Sequence, residues 1–78
     1  MFNKLFSKEK ISNIKINEEF KRTKPKKWKM QSKENYFLKY GIFESKIVLD
    51  KNNVLIDGYT SYLLAKKFKV NVVKVERI

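Results

Sequence analysis

The chain of 78 residues contains no cysteine and no histidine. Without thiols there is no disulfide framework, no thiolate metal centre and no sulfur redox chemistry. Without imidazole the usual zinc ligand sets and the commonest general base are also gone. Glycine occurs twice and proline once, so sharp backbone corners are few and each marks a definite place. Acidic residues number 8 against 19 Lys plus Arg, and among the cations only Arg22 and Arg77 are arginine. Long apolar runs are missing too. No stretch approaches the ~20 consecutive apolar residues of a membrane span, and the first residues lack the continuous apolar core of a secretory signal. These absences close off most enzyme classes and lead to the expectation of a cytoplasmic protein with no membrane span.

What is present is positive charge. A formal net charge of +11 and a pI near 10 make a large field around a small body. Such a field favours polyanions: nucleic acid first, an acidic protein face or an anionic membrane second. The competing explanation is the composition of an AT-rich genome, which inflates Lys, Asn and Ile together. The length allows one domain with one small core, burying about 60% of the surface that the unfolded chain exposes.

Residues 1–10 place Phe2, Leu5 and Phe6 at helical spacing with Lys4, Lys8, Glu9 and Lys10 among them. This predicts a short amphipathic turn, and residues 1–13 are read as an extension ahead of a single domain over 14–78. Residues 11–17 carry Ile14 and Ile16 alternating with Lys15 and Asn17, the period of a first strand. Residues 21–29 then carry six basic residues in nine, together with Pro25 and the only tryptophan, Trp28. Proline and like-charge repulsion predict an extended, exposed loop there.

Ser32 reads as an N-cap, with Tyr36, Phe37 and Tyr40 at helical spacing until Gly41 ends the run. Residues 47–49 and 54–56, joined by Asp50-Lys51-Asn52-Asn53, read as a hairpin, because Asn tolerates left-handed backbone and the flanks are apolar or β-branched. The second of these strands meets Asp57-Gly58 and becomes a helix from about Tyr59 to Phe68, with Ser61, Leu64, Ala65 and Phe68 on one face. Val70, Val72, Val73 and Val75 form a last strand. The resulting class is α+β: a small mixed sheet with two main helices packed on it.

The run from Ile47 through Asp57-Gly58-Tyr59-Thr60-Ser61-Tyr62 to Lys67, followed by the valine strand, resembles the ParB/sulfiredoxin-like domain, also called the ParB-like nuclease family. The resemblance spans roughly residues 14–75. In that family the glycine corner usually continues as G-x-x-R or G-x-H-R, and the resemblance implies an arginine that helps to hold a phosphate at the helix start. Here the matching stretch is Gly58-Tyr59-Thr60-Ser61, so Ser61 stands where the arginine is expected, and one hydroxyl donor replaces a charged bidentate fork. Sulfiredoxin chemistry needs a cysteine and is excluded.

Two sets of candidate residues follow. Lys21, Arg22, Lys24, Lys26, Lys27 and Lys29 are available to phosphates, and Trp28 could stack on an unpaired base; the alternative is a solvated loop with Trp28 folded into the core. Asp57, Gly58, Tyr59, Thr60 and Ser61 form a candidate anion or nucleotide pocket; the alternative is that Asp57 caps the helix and Ser61 packs or hydrogen-bonds locally.

The leading reading is a small basic, noncatalytic nucleic-acid-binding ParB-like domain, with DNA as the expected ligand. A second is a protein-interaction or inhibitory factor of phage or mobile-element type, for which Tyr36, Tyr40, Tyr59 and Tyr62 would be contact residues. The third is a metal-dependent nuclease or nucleotide hydrolase. It ranks last because Asp50, Asp57, Glu18, Glu19 and Glu44 form no D-x-D or E-x-K cluster, and no catalytic residue, metal ligand or cofactor is assigned; Mg²⁺ enters only under this reading. Oligomeric state is not readable from the residues.

Overall fold

The valine strand near the end of the chain, β4 (Val72–Arg77), lies inside the sheet and has partners on both sides. The computed structural model describes residues 5–78. Its sheet has the order β1-β4-β2-β3, with β1 spanning Leu5–Lys10, β2 Ile47–Leu49 and β3 Leu55–Asp57. β4 runs antiparallel to β1 and parallel to β2, while β2 and β3 form the antiparallel hairpin, so the sheet is mixed. Three helices accompany it: α1 (Glu18–Arg22), α2 (Lys27–Tyr40) and α3 (Tyr59–Lys67). Among the described residues no helix is long and apolar enough to cross a membrane.

The α+β class with a small mixed sheet is as expected, and three local expectations are corrected. Residues 5–10 are a strand rather than a helical turn; Phe2 lies outside the described residues. β1 pairs with β4 from Leu5 opposite Arg77 to Lys10 opposite Val72. Without it one edge of the interior strand would be bare, and that long-range pairing overrides local helical spacing. The strand expected over 11–17 is a 3-10 turn at Ile11–Asn13 followed by one parallel bridge, Lys15 with Val54, although Ile14 is buried as its spacing implied. The basic stretch is not one extended loop. Lys21 and Arg22 end α1, a short link covers 23–26, and α2 begins at Lys27, five residues before Ser32.

The earlier start of α2 has a packing cause. Met30, Lys33, Glu34 and Phe37 recur at helical spacing and are half-buried. Phe37 stacks on Phe43 at 4.6 Å and meets Phe68 at 5.3 Å, and Lys33 and Glu34 pair with Glu44 (3.3 Å) and Lys67 (2.5 Å). Its far end is as expected, with Gly41 left-handed at φ 71° and its N–H donating to Phe37 O (2.8 Å).

The core joins Ile14, Ile47, Leu49, Leu55, Tyr62, Ala65, Val73 and Val75. Ala65 is fully buried, and on the same side of α3 Ser61 and Leu64 are buried as well. The hairpin turn is held by Asp50, whose Oδ1 accepts from the N–H groups of Asn52 (2.8 Å) and Val54 (3.0 Å), while Asn53 takes the left-handed φ of 64°.

Arg77 locks three elements together. Its Nε donates to Ser7 Oγ (3.2 Å) and its Nη2 to Glu9 Oε2 (2.9 Å), both on β1. Its Nη1 donates to Asn53 Oδ1 (2.6 Å) and to Asp50 O (3.3 Å) at the hairpin turn. Arg77→Ala is expected to lower the unfolding free energy by about 2–3 kcal/mol, because charge-assisted bonds are lost and partly buried acceptors are left unpaired. The readout is the urea midpoint at unchanged m-value. Arg77→Lys keeps the charge but not the planar fork and recovers only part of the loss; midpoints equal to the parent for both variants would show that the guanidinium does not brace the sheet.

Candidate nucleic-acid interface

The two candidate regions, some thirty residues apart in sequence, border one cleft of about 920 Å³. Asp57, Gly58, Tyr59 and Thr60, at the junction of β3 and α3, line one part of it. The end of α1 and the link, with Phe20, Lys24, Pro25 and Lys26, line another. The first turns of α2 add Trp28, Lys29, Ser32 and Lys33. Of the expected basic set, Lys24, Lys26, Trp28 and Lys29 reach the lining, whereas Lys21, Arg22 and Lys27 do not. Lys21 lies 3.8 Å from Glu18 within α1.

The corner itself depends on Gly58. Its φ of 92° is left-handed, and a Cβ built there would lie 2.2 Å from the carbonyl oxygen of Lys46 and 2.7 Å from Ile47 Cα. Only glycine allows this close approach of two backbone segments. Gly58 is also the N-cap of α3, and the first helical bond runs from Tyr62 N–H to Gly58 O (3.0 Å). The N–H groups of Tyr59, Thr60 and Ser61 therefore have no intrahelical acceptor, and the positive end of the helix dipole lies at the cleft.

Ser61 packs, as its alternative supposed, whereas Asp57 does not cap the helix. Asp57 accepts from the adjacent Gly58 N–H (2.8 Å), and α3 has no side-chain cap. Ser61, 2% exposed, donates its hydroxyl to Ser45 O (2.5 Å), is absent from the lining, and ties α3 to the connection after α2. Thr60 is different: it is 8% exposed, lines the cleft, and has no hydrogen bond to its hydroxyl among the described residues.

Trp28 is 69% exposed, so it is not folded into the core. Deeper in the cleft Phe20 and Tyr59 contact each other at 5.2 Å. Among the lining cations, Lys33 is paired with Glu44, leaving Lys24, Lys26 and Lys29 with no ion pair among the described residues. The lining acids are Glu19, Glu44 and Asp57. Among the described residues no group of three or more acidic residues gathers closely enough to hold a metal ion.

Phe20, Ser32 and Lys33 are among the lining residues outside both expected sets, with Glu19, Thr23, Pro25, Glu44 and Ser45. The signal for Phe20 was available: Glu18-Glu19 followed by Lys21-Arg22 puts acids in the first turn and bases in the last, the charge order of a short helix. Ser32 and Lys33 become visible only when α2 is extended back to Lys27.

No family model matches the chain, and no curated protein matches it. Four chains of solved structures do, two of them as follows. One, described as the structure of the pNOB8-like ParB N-domain, has a TM-score of 0.72 and 29% identity over 99% of this chain and 29% of its own. The other, the C2221 form of the pNOB8-like ParB-N domain, has a TM-score of 0.74 and 28% identity over 99% of this chain and 31% of its own. The chain thus spans about a third of the length of the chains it matches. With the strand order, the Gly58 corner and these matches taken together, the chain has a ParB-like fold, that of a ParB N-domain, with Ser61 at the corner position where an arginine was expected.

Proposed function

We propose that this chain is a noncatalytic, ParB-like module that binds nucleic acid, DNA foremost, along the cleft between the link at 23–26 and the start of α3. The observation that carries the reading is the convergence of three lysines with no ion pair among the described residues, an exposed tryptophan and a helix N-terminus on one cleft. Each supplies a different part of the contact. Lys24, Lys26 and Lys29 attract the phosphate backbone by charge, with little base discrimination, since lysine offers no bidentate fork. The flat face of Trp28 offers a stacking surface to an unpaired base. The free N–H groups of Tyr59 and Thr60, with the Thr60 hydroxyl beside them, suit one phosphate oxygen cluster, from the strand or from a nucleotide.

The test is a titration of the chain with short single strands and duplexes, followed by quenching of Trp28 emission across a salt series. The expected result is a log–log slope of about −2 to −4, corresponding to three or four released counterions. Trp28→Ala, at an exposed position, is expected to weaken single-strand binding by about 1–3 kcal/mol. Thr60→Val keeps the shape and removes the hydroxyl, so it lowers affinity by about tenfold or less. Affinity that does not change with salt overturns the proposal.

A further inference from the structure

One side of α2 is used by the fold, since Met30, Lys33, Glu34 and Phe37 face inward half-buried. The other side is not. Trp28, Gln31, Asn35 and Leu38 follow the spacing i, i+3, i+7, i+10 and form a stripe along the helix. Gln31 Nε2 donates to Asn35 Oδ1 at its middle (3.0 Å). Leu38 is 62% exposed, and Ile42, just past the Gly41 cap, is 59% exposed. Leucine and isoleucine add nothing to the hold on a phosphate backbone, so nucleic-acid binding leaves these two side chains unexplained.

We propose that this outer face of α2 docks an amphipathic helix of another protein, with apolar residues along one side and carboxylates flanking them. Charge selects this occupant. Lys27, Lys29 and Lys39 are exposed on α2, and its single acid, Glu34, is already paired with Lys67. A second copy would set +11 against +11 and lysine against lysine. A lipid surface is disfavoured by the polar Gln31–Asn35 pair in the middle of the stripe. A helix bearing carboxylates meets the lysines, covers Trp28 at one end and Leu38 with Ile42 at the other, and takes its register from the central polar pair, as polar residues do in coiled-coil seams.

Trp28 is the only tryptophan and reports on the face directly. The probe is a synthetic helix of about 18 residues, free of tryptophan, with leucines at the matching spacing and glutamates beside them. Titrated into the intact chain, it is expected to shift Trp28 emission to the blue in a saturable way. Leu38→Lys with Ile42→Lys should weaken that binding at least about tenfold while duplex DNA affinity holds or rises. Leu38→Gln, which adds no charge, should weaken it by a smaller factor. Both sites are exposed, and circular dichroism is the check that the fold is kept. A peptide with serines in place of leucines should bind about tenfold more weakly. The proposal is overturned if no saturable shift occurs, if the serine peptide binds as tightly, or if the Leu38 and Ile42 variants do. Failure of the unaltered chain to bind DNA, with the peptide shift intact, would instead count only against the nucleic-acid reading of the cleft.

Discussion

Gly58→Ala is expected to destabilise the domain by about 3–5 kcal/mol, the sum of a disallowed backbone conformation and a steric overlap. The φ of 92° alone makes an L-residue costly, and the added methyl would sit within 3 Å of three backbone atoms of Lys46 and Ile47. Backbone cannot swing aside as a side-chain tip can, so β2 or the start of α3 must move. Small domains have about 5–15 kcal/mol of stability at most, and this chain is near the low end by size. The measurement is a urea or thermal unfolding curve by circular dichroism. Gly41→Ala is the internal comparison: its φ is also left-handed, at 71°, but a Cβ there meets nothing within 4 Å. It should lose only about 1 kcal/mol, the conformational part. Equal losses at the two glycines would refute the steric account of the corner.

Reversing three lysines of the cleft, Lys24→Glu, Lys26→Glu and Lys29→Glu, is expected to reduce affinity for a short duplex by about 10²–10³ at low salt. The triple change takes the net charge of +11 down by six units. If each lysine releases a counterion, the log–log salt slope flattens by about 0.9 per contact on duplex and about 0.7 on single strands. A second triple variant, Lys8→Glu, Lys10→Glu and Lys51→Glu, changes the charge equally on β1 and the hairpin turn, away from the cleft. There only the screened long-range attraction is lost, about tenfold or less. Matching losses in the two variants would mean that the field of the whole protein binds and that the cleft is not the site.

Punctuation and periodicity made much of this fold legible. Gly41 stopping α2, the Asp50–Asn53 turn, and α3 with its buried Ser61, Leu64 and Ala65 all follow from local residue chemistry. The ParB-like resemblance rested on the Gly58 corner, and two ParB N-domain structures share the fold. What stayed hidden depends on partners far away in sequence. β1 is a strand because Val72–Arg77 lies beside it, and nothing within residues 5–10 announces that. α2 extends back to Lys27 with Met30 half-buried one turn ahead of Lys33 and Glu34, a helical start that the lysine repulsion alone argued against. The meeting of the link and the corner on one cleft is a property of the fold, as is the spending of the Ser61 hydroxyl on Ser45.

The position of β4 sets when this domain can fold. An interior strand of the sheet is the last of its four in chain order, and Arg77 is the residue that braces β1 to the hairpin turn. Until that strand exists, β2 and β3 are an isolated two-stranded hairpin, marginal in water, and β1 has no neighbour. On a ribosome, then, the sheet has no stable partial form to grow from. Its closure pairs Leu5 with Arg77 in a single non-local step, which slows folding relative to a helical body of the same size.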